Sequence, residues 1–278
     1  MSRVDLHLHT TTSDGRCTPG ELVDRASSAA LTVMAVTDHD TTASVADVRR
    51  VATARGIEAV SGIEITAIDE GRDLHILGYF FDPLHEALGT FLAAQRAARV
   101  NRVSAIGDRL GALGMPIDVE PLVAQAGNDR SRSIGRPQVA RTMVDAGYVS
   151  DTREAFDRWL GRGRPAFVAR IGPAPGAVID IIHAAGGIAS LAHPGKLRLE
   201  SRVAPLAHLG LDAIEAFHSD HDTAAVTKYV AMARDLNLLL TGGSDFHGDP
   251  AHGLEPGSVT LPLAEWSRLD KARRSPVQ

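Results

Sequence analysis

Apolar and polar residues alternate at the start of the chain: Val4, Leu6 and Leu8 are interleaved with Asp5, His7 and His9. A period of two predicts a strand. The pattern then turns helical. Thr18-Pro19-Gly20-Glu21 reads as a capping box with proline at the first helical position, followed by an apolar stripe of Leu22, Val23, Ala26, Ala29 and Ala30. VMAVT (33–37) is a short buried strand, and a helix over about 43–55 stops at Gly56. IEAVSGIEITA (57–67) and LHILGYFF (74–81) are strands around the polar turn EGRD.

Residues 86–165 change character. Leu88, Leu92 and Ala93, then Val103, Ile106 and Leu110, recur at helical spacing, and strand signals are scarce. Strand and helix then alternate again: helices near 174–185, 202–209 and 223–236 precede the strands GIASLAH (187–193), LDAIEAF (211–217) and LLLTGGSDFH (238–247). This alternation predicts a parallel α/β sheet or barrel. The tail after about 268, with Lys271, Arg273 and Arg274, reads as a solvated end.

Composition narrows the classes. At 278 residues, 44% hydrophobic and 23% charged, the chain can bury a sizeable core. No apolar run approaches the roughly 18 residues of a membrane span. MSRVDLHLHT puts charge and histidine where a signal peptide needs an apolar stretch, so a cytoplasmic enzyme is expected. The single Cys17 excludes an internal disulfide framework or a cysteine-rich metal site. A net charge of -5, with no basic stripe interleaved with aromatics, excludes long duplex nucleic acid as the main partner.

The chemistry-bearing residues recur at one structural place, the carboxyl ends of the expected strands. His7 and His9 end the first strand two residues apart, on one face. Asp14 follows in the next loop, Asp38 and His39 end the second strand, and Glu64 lies late in the third. His193, Glu215, Asp245 and His247 end the later ones. In a closed α/β barrel this rim is the active face. His75 falls near the start of its strand and joins the rim only if 57–67 and 74–81 form an antiparallel hairpin. Buried ionisable groups are costly unless paired or ligating. Imidazole plus carboxylate without thiolate suits Mn, Fe or Zn more than Ca or Mg. Clustered divalent ions bring hydroxide within reach of neutral pH and neutralise phosphate oxygens, so a phosphoester is the natural substrate.

DLHLHTTTSDG, VTDHD, GIE, LHILGY, LAHPG and GSDFH resemble the successive motifs of the PHP family (polymerase and histidinol phosphatase domain). The whole chain is similar to the branch that hydrolyses nucleoside 3′,5′-bisphosphates and trims short RNA from its 5′ end, with SIGRPQVAR (133–141) and GRGRPAFV (161–168) carrying that likeness. The resemblance implies a distorted (β/α)7 TIM-like barrel from 1–97 and 166–278, with a helical insert at 98–165 covering the active site. It implies up to three divalent ions: one on His7, His9, Glu64 and Asp245, a second on Glu64, His75 and His193, and a third on Asp14, His39 and His247. Glu64 would bridge the first two, and hydroxide held between ions would attack phosphorus. Glu64, Asp245 and His221 are the expected catalytic residues, and Arg136, Arg164 and His221 the expected substrate contacts.

Asp5 and Asp38 read as acceptors that fix ring tautomers. AFHSDHD departs from the family pattern by placing His218 and Asp220 where small residues are more usual, and Gln138 stands where histidine is expected. His85, His183, His208 and His252 lack ligand spacing, and Gly242 and Gly243 read as small residues that let the last strand approach the ions. The expected partner is a small phosphorylated nucleotide or a short RNA end; oligomeric state is open. The competing readings are a histidinol-phosphate phosphatase, an amidohydrolase, and a metal-binding module without turnover. The amidohydrolase is disfavoured because none of the three lysines occupies an expected strand end.

Overall fold

The computed structural model describes residues 3–128, 131–249 and 253–273. Its seven strands, β1 (Val4–Leu8), β2 (Val33–Val36), β3 (Glu58–Asp69), β4 (Arg72–Tyr79), β5 (Ile188–Leu191), β6 (Ala213–His218) and β7 (Leu239–Gly243), lie side by side in chain order. Leu8, the last residue of β1, bridges to Phe246 just beyond β7, so the barrel nearly closes. Every pairing is parallel except those of β4, which runs against both β3 and β5. The expected hairpin is present, with Thr66 opposite His75. It is also the main departure from a regular barrel, because a hairpin needs no crossover helix.

The local rules that mark the helices hold. α1 (Pro19–Ser28) begins at a Thr18–Glu21 capping box, and α2 (Val45–Ala54) ends beside Gly56, whose φ of +71° suits glycine. The long α3 (Glu86–Ala112) crosses the 97/98 boundary without a break. Leu88 and Leu92 pack into the barrel core, whereas Val103, Ile106 and Leu110 enter a separate cluster. That cluster also holds residues of α5 (Arg136–Asp145), α6 (Thr152–Ala155) and the π turn Phe156–Leu160. α4 (Glu120–Asn128) packs on its edge through Leu122 and Val123. α7 (Pro175–Ala184), the single-turn α8 (Pro194–Leu197), α9 (Glu200–His208) and α10 (Thr223–Asp235) complete the strand–helix alternation.

The solvated-tail expectation holds for Lys271 and Arg273, which are exposed, but not for Leu269. Leu263–Lys271 forms α11, whose Trp266 and Leu269 are buried with Val4, Leu6 and Val33 against the bottom of the barrel. Two apolar residues three apart in a charged segment are enough to dock a helix. Arg274 and His252 lie outside the described residues.

Gly243 lies directly against the backbone of His7 and the carboxylate of Asp5, where a Cβ would collide. Gly243→Ala is expected to cost about 1–3 kcal/mol of stability through overpacking. Chemical unfolding would register this as a lower midpoint, whereas the same change at Gly20, whose Cβ would meet nothing, should cost far less.

Candidate active site

All nine expected ligands converge at the rim where β1, β2, β5 and β7 end. Glu64 is their hub. Its Oε1 lies 2.7 Å from His75 Nδ1 and 3.1 Å from His193 Nε2. Its Oε2 lies 3.4 Å from His7 Nε2, 3.3 Å from His9 Nε2 and 3.2 Å from His39 Nδ1. The two oxygens thus face different sets of imidazoles, which is what a bridging carboxylate requires. Asp14 collects a further set: His247 Nε2 at 3.3 Å, His39 Nε2 at 3.5 Å and His9 Nδ1 at 3.6 Å. Asp245 Oδ1 stands 3.4 Å from both His7 Nε2 and His9 Nε2.

The groupings differ in detail from those implied by the sequence. His9 joins Asp14, His39 and His247; His75 groups with His39 and Glu64; His193 groups with His7 and Glu64. His7 and Asp245 form a group with His218, which was not an expected member.

The donor set fits divalent cations. His9 Nδ1 and Nε2, His39 Nδ1, His75 Nδ1 and His193 Nδ1 are buried without a hydrogen-bond partner. Carboxylate oxygens crowd several of them at ion-pair distance but out of hydrogen-bond line, so lone pairs converge on shared points rather than on one another. Buried polar atoms left this way are costly unless something fills the gap. Burial pushes His39 down to about 3 and His193 down to about 4, leaving neutral rings with free lone pairs. Burial also lowers His7 and His9, but surrounding carboxylates overrule it: Glu215, Asp245 and Glu64 hold His7 well above its ordinary value, and Asp245, Glu64 and Asp14 raise His9 to about 10. A cation entering there displaces protons from these two rings. The backbone is strained at the same place, with φ of +27° at His193 and +54° at Asp245. Such conformations cost about 1–3 kcal/mol each and persist where the surroundings dictate them.

The expected tautomer-fixing roles of Asp5 and Asp38 are corrected. Asp5 accepts the backbone N–H groups of His7, Ser244 and Gly257 and the Ser244 hydroxyl. Asp38 accepts Thr10 N–H and the hydroxyls of Thr10, Ser13 and Ser44. Both tie loops together and neither touches a ring. The orienting carboxylate is Glu215: Oε1 lies 2.9 Å from His7 Nδ1 while Oε2 accepts His193 N–H at 2.7 Å.

His221 is also corrected. Its Nδ1 donates to Ala216 C=O at 2.9 Å, and its Nε2 accepts Gly195 N–H at 3.1 Å. With both nitrogens taken by backbone, it locks the turn after β5 to β6 and offers no proton in this conformation. Lys196, in the turn after β5, reaches Asp245 Oδ2 at 3.1 Å, so one lysine does stand at a strand end. Asp245 beside it holds the amine charged and above its ordinary pKa, so it is not the neutral amine that carboxylation would need.

A cavity of about 100 Å³ opens beside the histidine–carboxylate cluster, lined by Asp14, His39 and His75 and by Arg99, Arg102 and Arg136. Arg102 and Arg136 share Asp73, at 3.2 and 3.1 Å. Arg99 and Arg170 instead converge on buried Asp40, at 2.5 and 2.8 Å, and Arg96 donates to its carbonyl. Arg164 is exposed and does not line the cavity. Gln138 accepts Gly135 N–H and donates to Ser13 C=O, tying α5 to the Asp14 loop. Arg99, Arg102 and Arg170 were hidden among 26 arginines, and nothing in the sequence singled them out.

Histidine and carboxylate ligands in this order and at one rim have counterparts in known proteins. The sequence profile of the PHP domain matches residues 5–116. Over 250 residues, 88% of this chain and 90% of the relative, the chain is 35% identical to a 5′-3′ exoribonuclease of Haemophilus influenzae. The chain belongs to the PHP family. It is 32% identical over 262 residues, covering 92% of this chain and 91% of the other, to a 3′,5′-nucleoside bisphosphate phosphatase of Chromobacterium violaceum. The crystal structure of a Bifidobacterium adolescentis protein described as a metal-dependent phosphoesterase superposes with a TM-score of 0.88 at 29% identity, covering 99% and 98% of the two chains. As a PHP enzyme this chain is a phosphoric ester hydrolase that works with metal ions. Among the described residues no helix is long and apolar enough to cross a membrane.

Proposed function

We propose that this PHP enzyme removes one phosphate from a nucleoside 3′,5′-bisphosphate and that it also acts at the 5′ end of short RNA. The observation that carries the reading is the arginine-lined cavity beside His39 and His75. A simple phosphomonoester needs cationic stabilisation only at the reacting phosphate. Two further guanidiniums, Arg102 and Arg136, suit a second anion, and planar forks grip phosphate well. Asp73 pairs with both but offsets only one of their two charges, so the trio stays cationic and an entering phosphate meets net positive charge. Two relatives, one named as acting on a nucleoside bisphosphate and one on RNA, support the same class.

In this reading Glu64, His7, His9 and Asp245 would hold one ion, Glu64, His75 and His193 a second, and Asp14, His39 and His247 a third. Manganese, iron and zinc all suit these donors. When bound, such ions activate water and neutralise the phosphate in flight. The chain's residues do the positioning. Glu215 fixes His7 and the His193 backbone, and the half-open side chains of His75 and His247 leave substrate its way in. Residues 98–165 act as the cover that supplies Arg136, and exposed Arg164 meets only a substrate longer than one nucleotide.

The test compares 3′-phosphoadenosine 5′-phosphate, a short 5′-phosphorylated RNA, histidinol phosphate and an amide. Turnover of the first two, lost on chelation and restored by Mn²⁺, is expected. Preference for histidinol phosphate, or cleavage of the amide alone, overturns the reading, and silence on every substrate by Mn²⁺-loaded protein supports the non-catalytic module. Arg136→Ala should lower kcat/KM for the bisphosphate by about 10- to 100-fold, the worth of a charged hydrogen bond. The loss on 4-nitrophenyl phosphate should be much smaller; equal losses would show that Arg136 does not read the second phosphate.

A further inference from the structure

His218 extends the metal-site reading above, on which this inference rests. Its side chain is buried at the end of β6, and its ring packs 5.4 Å from His193 and 6.0 Å from His7. Spacing alone makes it a candidate ligand beside His7 and Asp245. Its hydrogen bonding says otherwise. Nδ1 accepts the backbone N–H of Asp220 at 3.0 Å, so in the neutral ring that nitrogen carries the lone pair and Nε2 carries the proton. A nitrogen that carries a proton cannot bind a cation.

That Nε2–H is buried with no aligned hydrogen-bond partner, and Asp245 Oδ2 stands within ion-pair range at 3.4 Å. The same oxygen receives Lys196 Nζ at 3.1 Å. The other oxygen, Oδ1, faces His7 and His9. We propose that His218 is a positioning residue: its N–H and the Lys196 ammonium draw Asp245 Oδ2 to their side, so that Oδ1 is the oxygen Asp245 would offer a cation. A carboxylate free to rotate would offer both oxygens and lose its fixed orientation. Partners of this kind commonly change metal affinity 10- to 100-fold.

Mn²⁺ titration of metal-stripped full-length protein, followed by calorimetry and by the paramagnetic signal of free Mn²⁺, tests the proposal. His218→Ala is expected to weaken one Mn²⁺ site by about 10- to 100-fold. His218→Gln places an amide N–H near the Nε2 position and should restore most of that affinity. Affinities in His218→Ala equal to wild type overturn the proposal, as does the loss of one ion from both variants, which would make His218 a ligand. Wild-type protein that takes up no Mn²⁺ overturns the metal-site reading itself. Long-range ¹H–¹⁵N spectra of Zn²⁺-loaded wild type need no folded variant: His218 should keep its proton on Nε2, and a proton on Nδ1 would refute the assignment.

Discussion

Glu64→Gln will reduce phosphoester hydrolysis by more than about 100-fold, beyond what loss of an outer partner usually costs. Each Glu64 oxygen faces imidazoles of a different set, so neutralising it weakens two sites together. Ion content measured beside turnover should fall by more than one per chain, with the protein still folded. Loss of a single ion would mean that Glu64 does not bridge. Full occupancy with undiminished activity would remove it from the site.

Asp40→Asn will destabilise the fold by about 3–5 kcal/mol, because it leaves buried cations without their counter-charge. Arg99 and Arg170 both point at Asp40 Oδ2, and the carboxylate is fully buried. Burial alone would raise its pKa, but the two guanidiniums override burial and hold it well below the carboxylate range. The sign for pH follows. A depressed native pKa adds stability that is complete above the unfolded value of about 3.9 and is lost as pH falls through the native value. Urea unfolding should show wild-type stability dropping below about pH 4, with a shallower acid slope in Asp40→Asn. Parallel slopes would show that Asp40 contributes nothing to the acid limb.

Much of this was legible from sequence because the site is built on strand ends. Period-two alternation through His7 and His9, and histidine or carboxylate closing successive strands, place the ligands at one rim before any contact is known. His75 was legible only through the hairpin, which the polar turn between two strands announces. The roles of Asp5, Asp38 and His221 were not legible: proximity in sequence to a ligand says nothing about which backbone amides a side chain meets after folding. Glu215 orients His7 across 208 residues, and no local pattern encodes that. α11 escaped notice because its charged residues outnumber the two apolar ones that dock it.

The reversed β4 has a consequence for the order in which the site forms. Glu64 and His75 are joined by a short hairpin, so the entropy of bringing them together is small, whereas His193, Asp245 and His247 must return from far along the chain. A nascent chain made as far as residue 81 therefore already holds six of the nine ligands, His7, His9, Asp14, His39, Glu64 and His75. It still lacks the strands that close the barrel behind them.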